Sequence, residues 1–118
     1  MPRVSDRHAQ DRRRQILDAA RKCFARAGFH RTTMQDIFRE AGLSPGAVYT
    51  WFFGKEEIVR AVAEEVLERD AEDLGHTEAR LVVQLWAEAL HDPRIMEMVG
   101  TMRAPARARL LERALRPA

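Results

Sequence analysis

Cysteine is almost missing: Cys23 is the only one among 118 residues. A lone cysteine excludes an intramolecular disulfide, so a disulfide-stapled secreted fold is unavailable and a reducing compartment is the expected setting. Its place beside Phe24 on an apolar face marks it as a small buried hydrophobe rather than a nucleophile. Long apolar runs are lacking too. None approaches the length of a membrane-spanning helix, and the opening MPRVSDRHAQDRRR has no apolar core of the kind a secretory signal needs. The expected location is therefore cytoplasmic, with no membrane partner. Strand alternation, hairpin signals, internal repeats and low-complexity linkers are all absent. The four histidines, His8, His30, His76 and His91, are scattered, and none stands at metal-ligand spacing from Cys23 or another histidine. There is no glycine-rich phosphate loop and no nucleophile elbow. No catalytic residue, cofactor or metal is expected, and the chain does not read as an enzyme.

What the chain does have is charge and helical periodicity. Its length suits one ordinary domain, or a small domain with part of another. Charged residues make up 32% and hydrophobic ones 46%, as in a soluble globular protein. The net charge of +2 hides an asymmetry. Residues 1–55 hold 11 Lys/Arg against 5 Asp/Glu, a net +6, and residues 56–118 hold 9 against 13, a net −4. A charge run is usually a solvated helix face. A basic front half is also the footprint of a phosphate-binding module.

Ile16, Leu17, Ala20, Cys23, Phe24 and Ala27 recur at helical spacing, which predicts an amphipathic helix from about Asp11 to Ala27. Gly28 is its expected C-terminal cap. A second helix starts near Thr32 or Thr33, since Thr32 with Gln35 and Thr33 with Asp36 both fit a capping box. Its apolar face carries Met34, Ile37, Phe38 and Ala41. A fourth helix runs from about Lys55 with Ile58, Val59, Val62, Val66 and Leu67 on one side. Phe24, Ile37, Leu43, Val48, Phe52 and Ile58 are expected to close one core. Beyond it, Glu78 to Leu90 forms a wide apolar helix, His91-Asp92-Pro93 interrupts it, and helices follow around Ile95 to Val99 and Ala106 to Leu115.

The stretch from Thr32 to Lys55, TTMQDIFREAGLSPGAVYTWFFGK, carries the functional signal. Two short amphipathic segments flank Gly42-Leu43-Ser44, and a tight glycine-containing turn between helices is the mark of a helix-turn-helix. Ser44 can cap the next helix, and Pro45 at its first position sacrifices no hydrogen bond. Gly46 and Ala47 are small enough for close approach to base edges. Tyr49, Thr50, Trp51 and Lys55 suit phosphate contact.

These residues closely resemble the tetracycline-repressor (TetR) family of bacterial transcriptional regulators. The resemblance runs from about Arg13 to Leu67 and rests on ILDAARKCFARAGFHRTTMQDIFREAGLSPGAVYTWFFGKEEI. Its specific parts are Gly28-Phe29, the paired threonines, Gly42-Leu43-Ser44 with Gly46, the aromatics Tyr49, Trp51 and Phe52, and Lys55-Glu56-Glu57. Phe53-Gly54 departs from it, because many relatives have proline and a small polar residue there. The resemblance implies an all-α fold: a three-helix helix-turn-helix DNA-binding domain over residues 1–55, then a helical ligand-binding and dimerisation region over 56–118. It implies that Pro45 to Phe52 lies in the major groove with Ala47 and Thr50 toward base edges. Apolar contact with a thymine methyl and a threonine hydroxyl to either base type are the chemistries available. Tyr49, Trp51 and Lys55 would grip the backbone, Ser44 and Thr33 would donate to phosphate, and the basic arm Arg12-Arg13-Arg14 would reach an adjacent groove or the backbone. Val48 and Phe52 read as core, Trp51 divides between packing and contact, and Thr32 serves as a cap.

The second half resembles an inner helix pair of the family's regulatory domain. Relatives usually carry another helix before it and longer helices after it, so this region is expected to be incomplete. Trp86, Met96, Met98 and Met102 are candidates for an effector pocket, although a methionine and aromatic stripe is more often ordinary core. The reading that results is a DNA-binding transcriptional regulator. It is expected to act as a repressor that binds a palindromic double-stranded operator as a homodimer and is released by a small apolar or amphipathic effector. The alternative is a helical protein-interaction module that uses the same fold without sequence-specific DNA binding.

Overall fold

Every regular element is helical. The computed structural model describes residues 4–69, 73–100 and 104–117, and no strand occurs among them. The helices are α1 (Val4–Ala27), α2 (Met34–Ala41), α3 (Pro45–Tyr49), α4 (Lys55–Glu68), α5 (His76–Glu88), α6 (Pro93–Gly100) and α7 (Ala104–Leu115). Among the described residues no helix is long and apolar enough to cross a membrane. The chain divides into two units, Met1–Ile58 and Val59–Ala118, and the division falls within α4.

In the first unit, α1 packs along α2, and α2 meets α3. The apolar stripe of α1 is buried at Ile16, Leu17, Ala20, Cys23 and Phe24. Phe24 and Phe29 meet edge to face, with ring centroids 4.8 Å apart. Ile37, Val48, Phe52 and Ile58 are buried in the same unit, whereas Leu43 is half-buried. Gly28 ends α1 with φ 84, a left-handed conformation that suits a residue without Cβ. Two polar bonds fasten α1 to α2: Gln15 Nε2 donates to the Ala41 carbonyl at 2.7 Å, and Arg26 pairs with Glu40.

Three expectations need correction here. The first helix begins at Val4, not near Asp11, and Arg12, Arg13 and Arg14 lie within it. Propensity explains this, because Gln and Arg favour helix and nothing in residues 4–10 breaks one. Arg14 pairs with Asp18 at 3.3 Å one turn on, and the Arg13 guanidinium lies 5.6 Å from the centre of the Phe52 ring. The third helix ends at Tyr49, although Phe52 still donates its N–H to the Val48 carbonyl at 3.1 Å. Leu90, expected on an apolar face, is exposed, because α5 stops at Glu88.

In the second unit, α5 packs against α7 and α6. Leu81, Val82 and Leu85 of α5, Ile95 of α6 and Leu110 of α7 are buried. Arg60 on α4 reaches Asp92 just before α6, with Nε 3.1 Å from the carboxylate. Arg69 pairs with Glu78 at 2.9 Å and donates to the Asp73 carbonyl at 2.8 Å, which ties the end of α4 to the start of α5. Glu78 also accepts from the Gly75 N–H at 3.2 Å, satisfying an amide at the start of α5.

Candidate nucleic-acid interface

The turn between α2 and α3 is closed at both ends by capping. Thr33 is the N-cap of α2, in extended backbone conformation. Its hydroxyl accepts from the Asp36 N–H at 3.1 Å, while the Asp36 carboxylate accepts from the Thr33 N–H at 2.9 Å. This reciprocal box satisfies two amides that α2 leaves unpaired. The Thr33 backbone N–H and then its hydroxyl hold the Asp36 carboxyl below its ordinary pKa. Thr32 is not the cap. It is buried, and its hydroxyl donates backward to the Gly28 carbonyl at 2.8 Å, because the turn from α1 folds it inward.

At the other end of α2, Gly42 takes φ 69. Its N–H donates to Arg39, and the Leu43 N–H donates to Phe38 at 3.1 Å, the paired bonds of a Schellman ending. Leu43 leads directly into Ser44, the N-cap of α3, whose hydroxyl oxygen accepts from the Ala47 N–H at 3.2 Å. A hydroxyl that accepts in this way still has its own proton to donate outward.

α3 has two unlike faces. Val48 is buried without exposure, and Phe52 one turn later is buried as well. Ser44, Pro45, Gly46, Tyr49 and Thr50 are exposed, and Ala47 is half-buried. The Thr50 hydroxyl donates to the Gly46 carbonyl at 2.8 Å, which leaves its oxygen lone pairs and methyl group outward. Tyr49 is aimed by a residue that sequence reasoning placed only on an apolar face. Its ring meets Phe38 edge to face at 5.6 Å. Nothing in the linear pattern announces that pair, since it forms across the turn.

The flanks complete the surface. Lys55 opens α4, half-buried along its stem, with Nζ 3.4 Å from the His30 carbonyl. Trp51 is half-buried, so it divides between packing and surface. Glu57 accepts from the Phe53 N–H at 3.0 Å and so closes the turn into α4. Thr33, Ser44, Pro45, Gly46, Ala47, Tyr49, Thr50, Trp51 and Lys55 thus all lie between the N-cap of α2 and the first residue of α4.

The corner where α1 meets α2 holds an open groove of about 480 Å³, lined by Cys23, Arg26, Ala27, Thr32, Asp36, Arg39 and Glu40. Burial pushes the Cys23 thiol above its ordinary pKa, with Arg26 opposing the shift, so little thiolate forms. Among the described residues no group of His, Cys, Asp or Glu side chains could hold a metal ion. In the second unit, Trp86 and Met98 are half-buried and Met96 is exposed, while Met102 lies outside the described residues. The Trp86 indole Nε1 is buried and has no hydrogen-bond partner among the described residues. A groove of about 210 Å³ between α5 and α7 is lined, among the described residues, by Arg80, Val83, Gln84, Leu111, Ala114 and Leu115 and not by Trp86, Met96 or Met98.

Residues 16–62, which include the capped turn and both of its helices, match the family described as bacterial regulatory proteins, tetR family. Over these residues the chain is of the TetR family. It is similar to the HTH-type transcriptional repressor Rv1474c of Mycobacterium tuberculosis, at 44% identity over 71 residues, covering 60% of this chain and 38% of that protein. It is also similar to the HTH-type transcriptional regulator HbdR of an Aromatoleum species, at 32% identity over 114 residues, covering 86% of this chain and 50% of that one. Among solved structures, Salmonella enterica GusR superposes with a TM-score of 0.66 at 28% identity, covering 87% of this chain and 64% of that chain. The chain spans half or less of the length of these two curated relatives.

Proposed function

We propose that this TetR-family chain is a DNA-binding transcriptional regulator whose α2–turn–α3 unit seats α3 in the major groove. The observation that carries the reading is the split of α3. Val48 and Phe52 anchor it inward, while Gly46, Tyr49 and Thr50 face solvent without a bulky apolar wall. A helix held in this way, in a half-chain of net charge +6, presents small and hydrogen-bonding groups to base edges and cations to phosphate. Ala47 and Thr50 read bases; Thr33, Ser44, Tyr49, Trp51 and Lys55 position the backbone, and Pro45 and Gly46 allow close approach. As a member of a family of regulators, the chain is not an enzyme.

The finer reading is a repressor that acts as a homodimer on a palindromic operator. One short recognition helix offers few base contacts. Pairing two on a twofold axis doubles them and sets half-sites about 34–36 Å apart or somewhat beyond. Release follows when a small apolar or amphipathic effector binds one arrangement of the paired units better than the other. Trp86 supports this step, since its buried indole N–H would gain a partner from an effector that carries an acceptor.

The test is the solution mass of the full chain, alone and with random genomic DNA fragments, followed by sequencing of the retained fragments. Affinity should fall linearly on a log–log plot against salt, because phosphate contacts release counterions. Retention with no salt dependence would favour a protein-interaction module instead.

A further inference from the structure

Phe53 is 91% exposed, the most exposed large apolar side chain among the described residues. It lies at Phe53-Gly54, where the helix-turn-helix segment departs from the pattern it resembles. The turn that carries it is held on both sides. Phe52 is buried, and the Phe53 N–H is bonded to Glu57 at 3.0 Å. The chain keeps a helical path as far as the Phe52 N–H, which donates to the Val48 carbonyl. Phe53 stands in the turn just past the exposed Tyr49 and Thr50, while Val48 and Phe52 are turned into the core. Lys55, the proposed phosphate contact, is two residues further on.

A duplex offers apolar surface to such a ring in two forms. One is the face of a deoxyribose, which alternates with phosphate along the strand. The other is the thymine methyl in the major groove. We propose that Phe53 is a further DNA contact, which lays its phenyl ring on this apolar edge of the duplex beside the recognition helix. The proposal rests on the reading of α3 as the DNA-reading helix. The basic charge of residues 1–55 makes nucleic acid the occupant, and continuity with Thr50 and Lys55 places the ring at the border of that interface. Contact removes the ring from water and adds affinity without adding charge.

The experiment compares full-length wild type, Phe53→Ala and Phe53→Leu on one duplex selected from random genomic fragments by the wild-type chain. Affinity is measured across a salt series. Phe53→Ala should bind about five- to tenfold more weakly, from the loss of part of a phenyl ring's buried area. The slope of log affinity against log salt should not change, since no phosphate contact is lost, and the melting temperature should not change either. Phe53→Leu should recover most of the affinity. Replacing each thymine in turn by deoxyuridine, which lacks the methyl group, separates the two apolar sources. A position-specific loss in wild type that disappears in Phe53→Ala identifies the methyl, and its absence at every position identifies the sugar. Equal affinity of Phe53→Ala and wild type, or a loss that comes with a changed salt slope, overturns the contact. If the wild-type chain selects no duplex at all, DNA reading by α3 has failed, an outcome distinct from failure of Phe53 alone.

Discussion

The Thr32 hydroxyl donates to the Gly28 carbonyl at 2.8 Å, fastening the residue before the α2 N-cap to the glycine that ends α1. The Thr32 N–H also donates to Gly28 at 3.3 Å, so the turn closes on itself through backbone and side chain together. Thr32 is buried, and removing its hydroxyl leaves acceptors short of a partner where water enters poorly. Thr32→Val, similar in shape, should cost about 1–2 kcal/mol, whereas Thr32→Ser should retain most of the stability. Denaturant melts of the two variants check this. Equal midpoints would mean that the hydroxyl bond contributes nothing.

Deeper in the same unit, Phe24 has no exposed surface and sits edge to face against Phe29. Phe24→Ala should cost roughly 3–5 kcal/mol, from lost burial and the cavity left behind. A small domain holds only about 5–15 kcal/mol in reserve, so DNA retention should be severely reduced along with the melting temperature. A variant that melts like wild type would contradict the packing of α1 on α2.

Much of this arrangement is legible in the sequence, for reasons that can be named. Glycine at 28 and 42 marks positions where a left-handed φ ends a helix, and both take it. Ser44-Pro45 and the spacing of Thr33 to Asp36 are local capping signals, and local chemistry suffices to read them. What escaped reading depends on tertiary direction. Two adjacent threonines offer the same capping pattern. Only the fold of the turn puts Thr32 inward and leaves Thr33 at the helix start. The Arg13 contact with Phe52 spans too many residues to be seen in a linear pattern. The same holds for Phe38 beneath Tyr49.

In the second unit, Asp92 accepts from the Arg94 N–H at 3.0 Å through one oxygen and from Arg60 at 3.1 Å through the other. Burial works to raise its pKa, but the Arg94 amide and the Arg60 guanidinium outweigh it and leave the carboxyl below its ordinary value. A depressed carboxylate adds stability that is present above its unfolded pKa and lost as pH falls through the folded one. Asp92→Asn keeps an acceptor for Arg94 but removes the charge. It should therefore be less stable than wild type by about 1 kcal/mol near neutral pH. The gap should narrow as pH drops below the usual carboxylate range near 4. Melting temperatures of both proteins across that range provide the check, and a gap constant with pH would remove the ion pair from the account.

Lys55 and Thr50 separate grip from reading within the proposed interface. Lys55 holds its ammonium near the His30 carbonyl with no carboxylate at that contact, so a phosphate can take it over at little cost. Lys55→Ala should weaken binding to every sequence alike and lower the salt slope by about one unit, the signature of one lost phosphate contact. Thr50 offers no charge. Its hydroxyl proton is committed to Gly46, so it meets a base through its oxygen lone pairs and its methyl group. Thr50→Val keeps the methyl and removes the acceptor, which should leave the salt slope unchanged but shift the sequences retained from a random pool. Each contact to a wrong base is worth about 1–3 kcal/mol, enough to reorder the selected sites. Selection of the same sites by Thr50→Val and wild type would take Thr50 out of base reading. An unchanged slope for Lys55→Ala would likewise remove Lys55 from the phosphate contacts.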